Sequence, residues 1–257
     1  MEKMFEDSVS VIIPVFNEKD NIKRLIEETL FVLKAFKCFE IIVVDDGSTE
    51  DIFSEIESFN NIKYIRLLNN LGQGLAIRVG LLFAKNKYIV TMDGDGQNDP
   101  KDIIRLYESI IKNDADLICG LRKNRKDKHI KRILSLGAYY LRHVFLKDET
   151  RDSGCTLKIY KKDVFININM DGRAFMFLPF FFKCLGYKVA QKEVVHRRRF
   201  SGKSKYISFF EVLVGLRYLL FFFIYKMLFP VRFKSFLKQN IINKDNVNDY
   251  IQDIREN

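Results

Sequence analysis

The chain of 257 residues contains no tryptophan, only three histidines, four prolines and four cysteines. Cys38, Cys119, Cys155 and Cys184 lie far apart with no CxxC pair, and His129, His143 and His196 show no zinc spacing. That argues against a disulfide framework and a structural zinc site, and the cysteines read as reduced, mostly buried thiols of a cytosolic compartment. Glu2, Glu6 and Asp7 stand near the start with no apolar run before the first strand, so no secretory signal is expected. A long charge-free run is also missing. Phe209–Phe229 is nearly all apolar, but Glu211, Arg217 and Lys226 interrupt it, leaving Tyr218–Tyr225 as its longest clean stretch. In a spanning helix Arg217 would sit near mid-bilayer at a cost of about 2.5–3.5 kcal/mol. A helix lying in the membrane interface is therefore favoured, with Arg232, Lys234 and Lys238 near headgroups. A helix that forms a dimer is the structural alternative.

Positive charge and apolar side chains are abundant. The formal charge is +10, which suits an anionic partner: nucleic acid, anionic lipid or a phosphorylated substrate. At 47% hydrophobic, the chain has ample material for the core of one large domain, or one domain with an appendage.

Along the first half, strands and helices alternate. Val9–Pro14, Glu40–Val44, Ile62–Leu67, Tyr88–Met92 and Leu117–Gly120 read as buried strands. Helices are expected from a cap at Asp20 or Asn21 to about Ala35, from Asp51 to about Phe59, over Gly74–Ala84, and from Pro100 to about Lys112. This alternation predicts an α/β fold, a mainly parallel sheet with helices on both faces. In such sheets ligands bind beyond the carboxyl ends of the strands. Asn17-Glu18, Asp45-Asp46 and Asp93/Asp95 all follow strands at that end. The second half is less regular: a basic loop over Lys123–Lys128, a helix over Ile130–Leu146, a strand over Thr156–Tyr160, a helix over Arg173–Leu185 and a strand over Tyr187–His196. From Ser235 the tail is polar and is expected to be mobile.

The run Tyr88–Met92 ends in Asp93-Gly94-Asp95-Gly96-Gln97-Asn98-Asp99-Pro100. Carboxylates on alternate residues of a strand point to opposite faces. Gly94 and Gly96 let the chain leave that geometry, so Asp93 and Asp95 can converge on one hard cation, Mg²⁺ or Mn²⁺, completed by phosphate and water. The plain alternative is an acidic, glycine-rich turn. Gly72-x-Gly74 lacks the third glycine of a dinucleotide loop, and Gly202-Lys203-Ser204 lacks the earlier glycine of a P-loop, where Arg197 stands.

Taken in order, Ser10-Val11-Ile12-Ile13-Pro14-Val15-Phe16-Asn17-Glu18, Val43-Val44-Asp45-Asp46-Gly47-Ser48, Asn70-Leu71-Gly72-Gln73-Gly74, Asp93-Gly94-Asp95-Gly96-Gln97, Asp152-Ser153-Gly154-Cys155 and His196 to Tyr206 carry a resemblance. The pattern resembles the inverting family 2 glycosyltransferases of GT-A fold, the Rossmann-like polyprenyl-phosphate type related to dolichol-phosphate mannosyltransferase. The resemblance implies that Pro14, Phe16, Glu18, Val44 and Asp46 hold the nucleoside of a GDP- or UDP-sugar. A carboxylate suits a base N–H or ribose hydroxyl, and Phe16 an apolar wall. For single residues the alternatives are an N-cap at Asn17 and an Asx-turn at Asp46. It further implies Asp93, Asp95 and Gln97 as metal ligands, and Arg199, Ser204 and Lys205 as donors to phosphate oxygens in a closing loop. Arg132, with Arg122 nearby, would meet the acceptor phosphate, and Asp152 would position those cations. Asn98 stands where the family often has histidine, which touches only a peripheral contact. For the Lys123–Lys128 cluster a solvated surface attracted to lipid headgroups is the simpler reading.

These features predict a catalytic domain over residues 1–206, an apolar interface-helix region over 207–234 and a polar tail over 235–257. The expected reaction is metal-dependent, inverting transfer of a sugar to a polyprenyl phosphate for cell-envelope glycan or glycolipid synthesis. It would occur on the cytoplasmic face of the membrane, with the enzyme peripheral or monotopic and with a possible homo-oligomer through the C-terminal helix. A phosphate acceptor is already largely dianionic at neutral pH and needs no general base. Transfer to a hydroxyl would need one, and Asp152 would take that role. A non-catalytic sugar-nucleotide or anionic-lipid binding protein is opposed by the intact Asp93/Asp95 pair. Nucleic-acid binding is opposed by the acids at the strand ends.

Overall fold

The structure, a computed structural model, describes residues 4–123, 129–168, 172–201, 209–239 and 242–256, with the side chains of 123, 129–135, 172–174 and 209–213 outside the description. Its centre is a sheet in the order β7-β5-β6-β4-β1-β2-β3-β8. The strands are β1 (Phe5–Val15), β2 (Phe36–Asp45), β3 (Ile62–Leu67), β4 (Tyr88–Thr91), β5 (Leu117–Lys123), β6 (Lys158–Lys161), β7 (Val189–Val195) and β8 (Ile251–Glu256). β4, β1, β2 and β3 pair in parallel, in registers such as Val11 with Ile41 and Ile12 with Thr91. β6 enters antiparallel between β4 and β5, and β5 pairs in parallel with β7. The mainly parallel expectation holds for the first half; the second half makes the sheet mixed.

Alternation along the central strands explains the two layers. Val9, Val11, Ile13, Ile41 and Val43 face one core with α1 (Lys19–Leu33) and α3 (Asp102–Lys112). Ile12, Ile42 and Val44 face the other, with α2 (Gln73–Phe83), α6 (Leu178–Cys184), α7 (Phe209–Leu228) and α8 (Pro230–Phe236). Two more helices are found among the described residues, α4 (His129–Leu146) and the short α5 (Lys162–Phe165).

Packing, rather than capping, determines α1. The expected cap at Asp20 or Asn21 is not seen: the helix starts at Lys19, Glu18 occupies the cap position, and no side chain caps it. A cap contributes about 1 kcal/mol. Each of the buried residues Ile22, Leu25, Ile26 and Leu33 contributes roughly 1.5–3 kcal/mol. Asn17 is not the cap either; its φ is 52°, and its side chain accepts from the backbone N–H of Thr49 at 2.8 Å.

Other differences have local causes. The expected helix over Asp51–Phe59 shrinks to a 3₁₀ turn at Phe53–Glu55, where Ser54 bonds back to Asp51 and competes with helix propagation. The expected helix over Arg173–Leu185 splits into a 3₁₀ turn, Gly172–Phe177, and α6, which begins next to Pro179, a residue without an N–H to continue a preceding helix. Pro100 precedes α3 rather than lying in its first turn. Lys123 ends β5, while the rest of the expected basic loop, 124–128, lies outside the described residues.

The polar tail, expected to be mobile, contributes β8 to the sheet edge, antiparallel to β3. Lys63 Nζ lies 2.5 Å from Glu256 Oε1, Ile65 sits opposite Ile254, and the Arg255 guanidinium lies over the Phe53 ring at 4.4 Å. Leu219, Phe222, Phe233, Leu237, Ile242 and Val247 are buried in the α2–α6 core, so the C-terminal segments pack into one body with the sheet. Among the described residues, no helix is long and apolar enough to cross a membrane.

Candidate active site

The parallel strands β1, β2 and β4 end side by side, and their following loops are knitted together. Asp46 N donates to Val15 O at 2.8 Å, Asn17 N to Ser48 Oγ at 2.9 Å and Met92 N to Ile12 O at 3.1 Å. Gly94 lies so close to Val15 that a Cβ on it would fall 2.7 Å from Val15 Cγ1. Gly47, at φ 73°, passes the Asn69–Asn70 backbone with no room for a side chain. Only glycine fits such a crossing.

The loop after β2 is built by its own acids. Asp45 is fully buried, accepting from Ser48 N at 2.8 Å and Tyr64 OH at 2.7 Å. The turn expected at Asp46 therefore belongs to Asp45. Asp46 instead accepts from Leu71 N at 2.7 Å and Gly72 N at 2.9 Å, drawing the Asn70-Leu71-Gly72 loop to the strand ends. Burial pushes the Asp46 carboxyl up to about 6 despite those bonds. Pro14 is buried and Phe16 half-buried. The Val44 side chain is taken up by the core against Gly80, which leaves its main chain as the part a donor would meet.

Asp93 and Asp95 are gathered as their spacing suggests. Asp93 accepts from Gln73 Nε2 at 2.6 Å and Thr156 Oγ1 at 2.8 Å. Asp95 accepts from Gln97 N at 3.0 Å and from Arg199 Nη2 at 2.9 Å. Burial first, then the negative charge of Asp95, hold the Asp93 carboxyl above the usual carboxylate range. A divalent cation would relieve that repulsion. Among the described residues no cluster of three or more His, Cys, Asp or Glu forms a metal site. Carboxylates completed by substrate phosphate and water suit Mg²⁺ or Mn²⁺, so this donor set fits such an ion. The expected third ligand is differently engaged: Gln97 Nε2 lies 3.4 Å from His196 Nε2.

Across the site Arg122 and Asp152 form a two-bond pair, Nε to Oδ2 and Nη2 to Oδ1, both at 2.7 Å, and largely buried. Arg199 links Asp95 to Glu18, whose Oε1 is 3.4 Å from Nη1. The structure thus brings together Glu18, Asp93, Asp95 and Arg199, with Asp46, Arg122 and Asp152 beside them. The Arg132 side chain, Ser204 and Lys205 lie outside the described residues.

Several supporting residues escaped the sequence reading. Gln73 and Thr156 orient Asp93; Gln73 stood inside a recognised motif without an assigned role. Asn98 is not peripheral: it is buried, its Oδ1 accepts from Asp93 N at 3.1 Å, and its carbonyl accepts from Arg197 Nη2 at 2.8 Å. Asn21 accepts from Ser201 N at 2.8 Å. Apart from the Asn98–Asp93 bond, these contacts join residues distant in sequence, and no local pattern announces them.

The sequence profile of Glycosyl transferase family 2 matches residues 10–168. The dodecaprenyl-phosphate galacturonate synthase of Rhizobium johnstonii is 33% identical over 229 residues, 85% of this chain and 68% of that protein. The undecaprenyl-phosphate 4-deoxy-4-formamido-L-arabinose transferase of Pectobacterium carotovorum is 32% identical over 217 residues, 82% of this chain and 65% of that protein. The chain therefore spans about two thirds of the length of these relatives. The glucosyl-3-phosphoglycerate synthase of Mycobacterium tuberculosis, solved with Mn²⁺, UDP and phosphoglyceric acid, superposes with a TM-score of 0.67 at 17% identity, over 86% of this chain and 78% of that one. The mannosyl-3-phosphoglycerate synthase of Rubrobacter xylanophilus gives 0.67 at 14% identity, over 93% and 78%. Those solved structures share the GT-A arrangement of strands, and the profile covers the strands whose ends carry the acids; the chain belongs to glycosyltransferase family 2.

Proposed function

We propose that this glycosyltransferase moves a sugar from a nucleoside diphosphate to the phosphate of a polyprenyl phosphate, with inversion, at a membrane surface. The observation that carries the acceptor assignment is the Arg122–Asp152 pair. A carboxylate whose oxygens are both bound by one guanidinium is a poor base. An acceptor hydroxyl would need a base there, whereas a phosphate monoester arrives already ionised. The relatives named for transfer to dodecaprenyl and undecaprenyl phosphate support the same choice.

In this reading Glu18, Asp46, Phe16, Pro14 and the Val44 main chain receive the nucleoside. Asp93 and Asp95 hold Mg²⁺ or Mn²⁺, which when bound neutralises charge on the departing diphosphate. Gln73 and Thr156 fix Asp93 so that one geometry is presented. Arg122 is held by Asp152 on the acceptor side, where Arg132, Ser204 and Lys205 are the other proposed phosphate contacts.

Membrane attachment draws on two helices rather than Phe209–Phe229 alone. Leu136, Tyr140 and Val144 form an exposed stripe on α4, and Leu216, Leu220, Ile224 and Leu228 form another on α7. Phe145 and Phe223, in edge contact at 5.2 Å, join the helices. Tyr140 is 67% exposed and Val231, on α8, 82%. Exposed apolar stripes on two helices in contact fit a lipid surface. The opposite side of α7, with Leu219 and Phe222, is core.

The test is a donor screen of UDP- and GDP-sugars with polyprenyl phosphate, read as lipid-linked sugar by mass spectrometry. Product is expected with the phosphate and not with the free polyprenol. Equal use of polyprenol would move the reading to a hydroxyl acceptor with Asp152 as base.

A further inference from the structure

Arg199 sits on two of the acids that the proposed metal and donor would use. Its guanidinium lies between two acids from different strand ends, 2.9 Å from Asp95 Oδ2 and 3.4 Å from Glu18 Oε1. The arginine side chain is only 16% exposed, and both acids are buried. Ion pairs at the surface contribute little, but a guanidinium shared by buried carboxylates is a strong interaction.

The backbone on either side of Arg199 is pinned. Arg197 N donates to Gln97 O at 2.8 Å, and the Arg197 side chain bonds Glu28 at 2.7 Å and the Asn98 carbonyl at 2.8 Å. The Phe200 ring lies directly on Gly96, where a Cβ would fall 2.4 Å from it, and the Arg24 guanidinium covers that ring at 4.2 Å. Ser201 N is held by Asn21. A change of partner at Arg199 is therefore a movement of its side chain, not of the segment.

A divalent cation at Asp93 and Asp95 would need the Asp95 oxygens and would bring positive charge against the guanidinium. Asp95 Oδ1 already accepts from Gln97 N and Oδ2 from Arg199 Nη2, so the cation would compete with the guanidinium for the same carboxylate. We propose that Arg199 is a stand-in counter-ion: it neutralises Asp95 and Glu18 while the site holds no substrate, is displaced from Asp95 when the metal binds, and then turns to the donor diphosphate. Metal and nucleotide would thereby favour each other's binding, because the diphosphate gives the displaced arginine a new partner. This inference rests on the metal and donor assignments proposed above.

The experiment is titration of the purified chain with Mn²⁺ alone, by calorimetry or by the Mn²⁺ spin-resonance signal, then with UDP and GDP in the presence of Mn²⁺. Arg199→Gln should bind Mn²⁺ without nucleotide about tenfold more tightly than wild type, since a competing charge-assisted bond is gone. It should bind the nucleotide about tenfold more weakly once Mn²⁺ is present. Arg199→Lys keeps the charge without the fork and should fall between; if the glutamine variant does not fold, this one carries the same comparison. Unchanged or weaker Mn²⁺ binding in the folded variant would overturn the proposal. Absence of Mn²⁺ binding in every form, with or without nucleotide, would overturn it together with the metal assignment. The expected Mn²⁺ and nucleotide shifts in Arg199→Gln, with product formed equally on free polyprenol, would overturn the acceptor assignment and leave the Arg199 proposal supported.

Discussion

The two ends of the sheet are built on different rules. On the β4-β1-β2-β3 side, parallel strands deliver acids to one edge, and each loop is closed by bonds to the next. On the β7-β5-β6 side an antiparallel strand intervenes; α4 and α7, packed on each other, leave apolar stripes exposed. In the function proposed above, the first side takes the soluble, charged donor and the second the acceptor with its lipid tail. The Arg122–Asp152 pair stands on the second side, at the end of β5 and ahead of β6, with the Arg122 charge felt at Asp93.

The sharpest way to break this division is Asp95→Asn. Transfer should fall roughly 10²–10³-fold, because an anionic ligand at the leaving diphosphate is lost. Binding to anionic vesicles and the melting temperature should stay near wild type. Chelation should act the same way and added Mg²⁺ or Mn²⁺ should reverse it; full turnover in excess chelator would contradict the metal assignment.

Tyr140→Asp combined with Ile224→Asp should do the reverse. Vesicle binding should weaken at least about tenfold, since each change removes roughly 1.5–3 kcal/mol of apolar burial. Binding of UDP or GDP with Mn²⁺ should be unaltered. Equal vesicle sedimentation by mutant and wild type would show that another surface meets the membrane.

Removing residues 251–256 should lower stability on the order of 1–3 kcal/mol, through lost ladder bonds and the Lys63–Glu256 pair. It would also uncover the β3 edge, so self-association by light scattering should increase. A truncated chain of unchanged melting temperature would show that β8 adds nothing to the sheet.

The smallest effect concerns Asp46, whose folded carboxyl titrates near 6 because of burial, against 3.8 for the ordinary group. Between those values the folded state holds a proton that the unfolded state has released. Its contribution to stability is therefore full below about pH 4 and is lost as pH rises through about 6, by on the order of 1–2 kcal/mol. Asp46→Asn should flatten denaturant stability across that window; an unchanged slope would assign the pH dependence elsewhere.

What was readable from the residues tracks contact distance along the chain. Strand periodicity located β3 and β4 nearly to the residue and the buried part of β1, whose first four residues, Phe5–Ser8, lie outside the continuous apolar run that burial on both faces leaves. The motif acids were legible because glycine and acid spacing is local. The short turn at Phe53–Glu55 was misread as a helix because the Ser54–Asp51 bonds offset an apolar pattern that suits either. β8 was missed because its stability comes from β3 rather than from its own polar composition. The roles of Gln73, Thr156 and Asn21 were missed because each acts on a distant residue, whereas Asn98 was weighed only as a peripheral contact although its bond to Asp93 is local.

By itself the sequence determined the alternation of strand and helix, the acids at the strand ends, the basic balance of the chain and its family pattern. These follow from periodicity and from side-chain chemistry, which every residue carries with it. Tertiary structure alone decided that Asp152 is bound to Arg122, that Arg199 sits on Asp95 and Glu18, that two helices in contact each leave an apolar stripe exposed, and that the tail closes the sheet. Each of those depends on groups that meet only after the chain has folded, and the strength of a charge or a hydrogen bond depends on the burial that folding creates.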